Sequence, residues 1–178
     1  MLKQLLTKMR NFRRGEKGAA SVELVIVFPV FFGIFVSSFE IAMMNLRAVM
    51  IERATDVVVR DIRLMGGANI AYEDVREAIC LEAGIIVNCL ESLRIEMQPV
   101  DLSNWTTLRE EIDCIRREEA LQPVVNFENG QENELMLIRV CAIQDPFFPT
   151  YGVGRSMPKD DTGGYIIAAS SAFVNEPN

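Results

Sequence analysis

The sequence predicts an α+β protein, a long N-terminal helix laid against a small antiparallel sheet. Three observations predict it. Leu24 to Phe39 is a 16-residue apolar run without charge, broken only by Pro29 and Gly33. A helical pattern continues beyond it without Gly or Pro from Asn45 to Leu64. Period-two alternation then appears downstream, where Leu93, Ile95 and Met97 alternate with Arg94, Glu96 and Gln98. At 178 residues the chain has room for one modest domain and an anchor.

Extended to Met44, the apolar run covers 21 residues and includes Glu40. It rises about 31 Å, close to the thickness of a bilayer core. The expectation is a single transmembrane helix over residues 19–44. A secretory signal peptide is the competing reading. The run exceeds the usual apolar length of such a peptide, and neither Ser38-Phe39-Glu40 nor Ala42-Met43-Met44 offers a small-x-small cleavage site. Pro29 lacks an N–H and crowds the preceding turn, so it marks a kink near Val25–Pro29. The other reading is that proline is simply commoner in membrane helices.

Charge is divided along the chain. Of 18 basic and 25 acidic side chains, six basic (Lys3, Lys8, Arg10, Arg13, Arg14, Lys17) and one acidic (Glu16) precede Ala19, leaving 12 against 24 beyond it. A short basic end beside an apolar segment stays cytoplasmic, which sends the acidic bulk, residues 45–178, across the membrane. An acidic domain also argues against nucleic acid as a partner.

In the second half of the long helix, Leu46, Val49, Met50, Ala54, Val57, Val58 and Ile62 recur at helical spacing. Arg47, Glu52, Arg53, Asp56, Arg60, Asp61 and Arg63 stand between them. One amphipathic helix therefore runs from about Ala20 to Met65 and stops at Gly66-Gly67. A second helix fits Ala71–Ala83, with Asn69 as cap, Glu73 and Asp74 in its first turn and Gly84 as its stop. The alternating run from Leu93 reads as a half-buried strand closed by Pro99. Glu110 to Leu121 fits a short charged helix, and Asn126 to Gly130 a turn. Leu135–Ile143 and Tyr165–Val174 read as buried strands. Between them, Pro146, Pro149, Gly152 and Gly154 make Asp145–Met157 a long loop, and Asp160–Gly164 reads as a hinge.

Catalytic chemistry is hard to place. The chain has no histidine, which removes the commonest general base and metal ligand. Gly152-Val153-Gly154 lacks the rest of a phosphate-loop pattern, and the carboxylates show no recognisable pairing. The expectation is no enzyme, no cofactor and no metal. Cys80, Cys89, Cys114 and Cys141 contain no C-x-x-C, which counts against zinc and redox motifs. Outside the cytoplasm they can form disulfides in three pairings. Cys80–Cys89, with Cys114–Cys141, is the favoured one, and four buried thiols are the alternative.

The residues Arg13-Arg14-Gly15-Glu16-Lys17-Gly18-Ala19-Ala20-Ser21-Val22-Glu23 carry the functional signal. A carboxylate in lipid costs about 2.5–3.5 kcal/mol on insertion scales, so Glu23 needs a partner or a place at the interface. Cleavage after Gly18 would create a cationic amine on Ala19. Glu23 of one subunit can then pair with that amine on a neighbour and set the axial register. In the other reading Glu23 sits among headgroups.

That stretch resembles the prepilin-peptidase site of type IV pilin-like proteins. Its Gly-Ala-Ala-x-Val-Glu form resembles the TadE-like minor pseudopilins of tight-adherence (Tad, or Flp) pili. Arg139-Val140-Cys141, the Phe147-Phe148-Pro149 loop and Ala172-Phe173-Val174-Asn175-Glu176-Pro177 resemble the same family. The resemblance implies a pilin-like fold, a basic leader (residues 1–18) cleaved between Gly18 and Ala19, and a helix inserted in the inner membrane with its N-terminus cytoplasmic. It also implies a low-copy place in a pilus or its base. The implied partners are the prepilin peptidase, other pilins and pseudopilins, the inner-membrane assembly platform and the lipid bilayer. Leu24 stands where related major pilins carry an aromatic residue, which argues against a major pilin. A TadF-like sister pseudopilin and an unprocessed membrane-anchored binding or adaptor domain are the alternatives.

Overall fold

The computed structural model describes residues 19–65, 69–101, 112, 114, 115, 117 and 126–177. Its element order is α1 (Ala19–Leu64), α2 (Tyr72–Ala83), α3 (Cys89–Ser92), β1 (Leu93–Pro99), β2 (Leu135–Gln144), α4 (Gly152–Ser156) and β3 (Tyr165–Val174). The three strands form one antiparallel sheet in the order β1-β2-β3. The expected architecture, a long helix on a small antiparallel sheet, is present. Gly18 and the basic leader, the Gly66-Gly67 stop, and most of Glu110–Leu121 lie outside the described residues.

α1 is one helix of 46 residues that passes through Pro29 without interruption. At 1.5 Å per residue it is about 69 Å long. Its first part exposes apolar side chains on all sides, from Val22 to Phe35. Its second part is amphipathic, and the buried stripe shares Ala54, Val58 and Ile62 with the expected one but is rotated from it. Ile51, Ala54, Thr55, Val58, Val59 and Ile62 face the core, while Leu46, Val49 and Val57 are exposed. The stripe is rotated because Arg47, expected on the polar side, is drawn into the interior by partners far along the chain.

The core lies between α1, α2 and one face of the sheet. Ile51, Val58 and Ile62 of α1 and Val75 and Ile79 of α2 pack with Leu93, Ile95, Met97, Met136, Ile138, Val140, Ile167 and Phe173. These strand residues share a face because the register pairs Ile95 with Val140, Met97 with Ile138 and Met136 with Phe173. α2 is capped by Ala71 with no side-chain bond, not by Asn69, whose carbonyl oxygen accepts from Asn129 Nδ2 at 2.9 Å. Gly84 does end it, at φ +52°, a conformation that suits glycine, with its N–H on Cys80 O.

The other face departs from the sequence reading. β1 is buried on both sides, including Arg94 and Glu96. Glu96 stands opposite Arg139 in the register and forms an ion pair with it. Cys141, on the same face, is bonded to Cys114, and Arg117 Nη2 donates to Ile143 O at 2.8 Å. On the same face of β3, Ile166, Ala168, Ser170, Ala172 and Val174 are exposed. β3, expected as a buried strand, is thus buried on one face only.

The second disulfide joins Cys80 at the end of α2 to Cys89 at the start of α3, with Cα atoms 5.6 Å apart. Asp145–Met157 is not wholly a loop, because α4 forms within it. In the Asp160–Gly164 hinge, Asp160 Oδ1 accepts from the N–H groups of Thr162 and Gly164, which makes a tight turn. Phe127 makes an isolated parallel bridge with Met97 rather than serving only as turn.

Ile138 is fully buried at the centre of β2. Ile138→Ala should lower stability by about 2–5 kcal/mol in urea unfolding of the detergent-solubilised chain. Leu81→Ala, at a position 80% exposed, should change it by less than about 0.5 kcal/mol. Equal effects would contradict this placement of the core.

Candidate functional site: the helix–strap junction

Residues 145–152 cross α1 as a strap between β2 and α4. Two ionisable residues of α1 hold it. Glu40 and Arg47 are seven residues apart, close to two helical turns, so they share one face of α1. Both are buried, at 1% and 4% exposure.

Glu40 belongs to the apolar run and is an acceptor for the strap backbone. Its Oε1 accepts the Phe147 N–H at 3.0 Å and its Oε2 the Phe148 N–H at 2.9 Å. Two consecutive strap donors are thereby satisfied by one side chain, in a place where an unpaired N–H would be costly. Phe39 packs edge-on against both rings, with centroids 5.5 Å and 6.1 Å away.

Arg47 holds the strap's entry. Its Nη1 donates to Asp145 O at 2.9 Å and to Tyr165 Oη at 2.8 Å. Its guanidinium lies 4.7 Å from the centre of the Phe147 ring, within cation–π range. One arginine therefore ties together α1, the end of β2, the strap and the first residue of β3.

The far end of the strap reaches deepest into the apolar part of α1. Tyr151 Oη donates to Pro29 O at 3.4 Å, and its ring lies 6.3 Å from that of Phe32. A Cβ on Gly33 would stand 3.0 Å from Tyr151 Oη. A Cβ on Gly152, at φ +56°, would stand 2.5 Å from Ser37 Oγ. The small residues Gly33, Ser37 and Gly152 are what allow the two backbones to approach here.

The residues singled out from sequence lie elsewhere. Ala19 is the first described residue, at the start of α1. Glu23 is exposed one turn further on, and Pro29 lies inside α1 under Tyr151. The four cysteines form the two bridges described above, within the sheet domain. Sequence reasoning gave no role to Glu40, Arg47 or Tyr151. The spacing of an acid inside an apolar span and a base seven residues later was the available signal. Among the described residues, no group of three or more Cys, Asp or Glu is placed to hold a metal ion.

α1 is long and apolar enough to cross a membrane, which is compatible with a membrane anchor, and it carries a small antiparallel sheet on its far half. Residues 18–60 match the family described as TadE-like protein. That match is consistent with a TadE-like protein of the Tad pilus system and supports a pilus-associated protein. It covers most of α1 and ends before the sheet begins. No curated protein matches the chain, and no solved structure does.

Glu40→Ala should leave the Phe147 and Phe148 amides without their acceptor, at a cost of about 1–3 kcal/mol per orphaned donor. The expected outcome in hydrogen exchange is loss of protection at those two amides while β2 stays protected. Unchanged protection would show that Glu40 does not hold the strap.

Proposed function

We propose that this chain is a minor pseudopilin, a structural and assembly component of a Tad-type pilus, processed by a prepilin peptidase after Gly18. The observation that carries the reading is the TadE-like match, which begins at Gly18 and runs along α1. The exposed apolar belt of α1 from Val22 to Phe35 suits insertion in the inner membrane, N-terminus cytoplasmic, and later packing among the helices of other pilins. The sheet domain then lies in the periplasm or outside the cell, where its two disulfides are chemically at home.

Glu23 has a defined task in this reading. It is exposed on α1 within the first turns after Ala19, where a neighbouring subunit can reach it. The new Ala19 amine of a neighbouring subunit is the cation that would offset its charge in a helical bundle. No catalytic step is assigned to the chain. Its partners are the peptidase, other pilus subunits and the assembly platform.

The test is the intact mass of the membrane-extracted protein from cells with and without the peptidase. A mature species starting at Ala19 only when the peptidase is present supports the reading. Gly18→Ala should leave the precursor uncleaved. An unprocessed chain in both strains would sink the assignment in favour of an anchored adaptor domain. Glu23→Ala should be cleaved and inserted normally yet yield fewer pili, and wild-type piliation would remove the register role.

A further inference from the structure

The length of α1 that is free of the strap is too short to span a bilayer. Tyr151 and Gly152 sit on α1 at Pro29, Gly33 and Ser37. From Ala19 to Gly33 the helix rises only about 21 Å, against about 30 Å for a hydrocarbon core. The remaining thickness falls on the part of α1 to which the strap is fastened. The geometry points to the strap itself, Phe147 to Gly152, as a lipid-inserted element that enters the bilayer leaflet on the side of the sheet domain. This inference rests on reading α1 as a membrane-spanning helix.

The strap is built for such a place. Phe147, Phe148 and Tyr151 are each exposed by more than a third, and they lie beside Phe39 and Phe32 of α1. Aromatic side chains of this kind collect where bilayer meets water. Three of the strap's backbone N–H groups, those of Phe147, Phe148 and Tyr151, are answered from within the chain. A non-helical segment survives at membrane depth only if its polar groups are satisfied from within. Pro146 and Pro149 carry no N–H. The N–H groups of Phe147 and Phe148 go to Glu40, and that of Tyr151 goes to Phe148 O at 3.3 Å. Lys159 Nζ donates to Pro149 O at 3.0 Å, and Arg155 stands exposed just beyond. These two cations border the strap and suit lipid phosphates at the level of the headgroups.

The experiment places a single tryptophan at chosen depths in the full chain. Trp105, the chain's one tryptophan, is first replaced in a Trp105→Phe background. Phe148→Trp and, independently, Tyr151→Trp then report on the strap. Phe28→Trp reports on α1, and Leu81→Trp, at an exposed site of α2, on the water side. Each protein is reconstituted in phosphatidylcholine vesicles whose acyl chains carry bromine near either the glycerol end or the methyl end. The expected result is loss of fluorescence at residues 148 and 151, stronger with bromine near the glycerol end. Residue 28 should also be quenched, and residue 81 should not. Quenching at 28 with none at 148 or 151 would overturn the strap's insertion, as would cover by a second copy or another protein, and leave the membrane-spanning helix standing. Quenching at none of the four would overturn both readings together.

Discussion

The structure depends on a carboxyl group placed inside an apolar helix to receive a strap's backbone. Glu40 resembles a defect when α1 is viewed alone, since an acid in a membrane-length run is expensive. With the strap in place its two oxygens meet two N–H groups, and the cost becomes a fastening. Arg47, close to two turns along, closes the other end by binding Asp145 O and Tyr165 Oη. Between them these side chains decide which face of α1 turns inward. They also fix how far down the helix the sheet domain extends, because β2, the strap, α4 and β3 are consecutive in the chain.

The sheet shows the same economy with polar groups. Arg94 and Glu96 are buried, and Glu96 and Arg139 pair directly across β1 and β2. Such a pair contributes less to stability than to choice of register, since a slip of one residue would strand both charges. The Cys114–Cys141 bridge is made on the same face of β2.

Elements with strong periodicity were legible in the sequence. α1 could be read because an apolar run passes into amphipathic spacing that holds no Gly or Pro from Asn45 to Leu64, and β3 spans Tyr165–Val174 as its residues suggest. What escaped was decided by distant partners. Arg47 looks like a surface residue until Tyr165, 118 positions later, is folded beside it. Leu46 and Val49 look like core until that rotation turns them outward. Arg94 and Glu96 look solvated, since local alternation cannot say that both will be buried or that Glu96 will meet Arg139, 43 positions later. The strap was read as loop from Pro146, Pro149 and Gly152, and the same residues are what let it lie close on α1. The N-terminal signal was legible by motif alone, and Glu23 stands exposed on α1, away from the residues that build the core.

The strap's attachments are spread along α1 from Pro29 to Arg47, about 27 Å of helix, and they run beside its axis rather than at one point. A pull that draws the helix lengthwise therefore meets the Tyr151, Glu40 and Arg47 contacts in parallel, as shear. A sideways force on the sheet domain meets them one after another, as peeling. Contacts loaded together resist better than contacts loaded in turn, so the strap stays fastened under tension along the helix axis and lifts most readily when bent away from it.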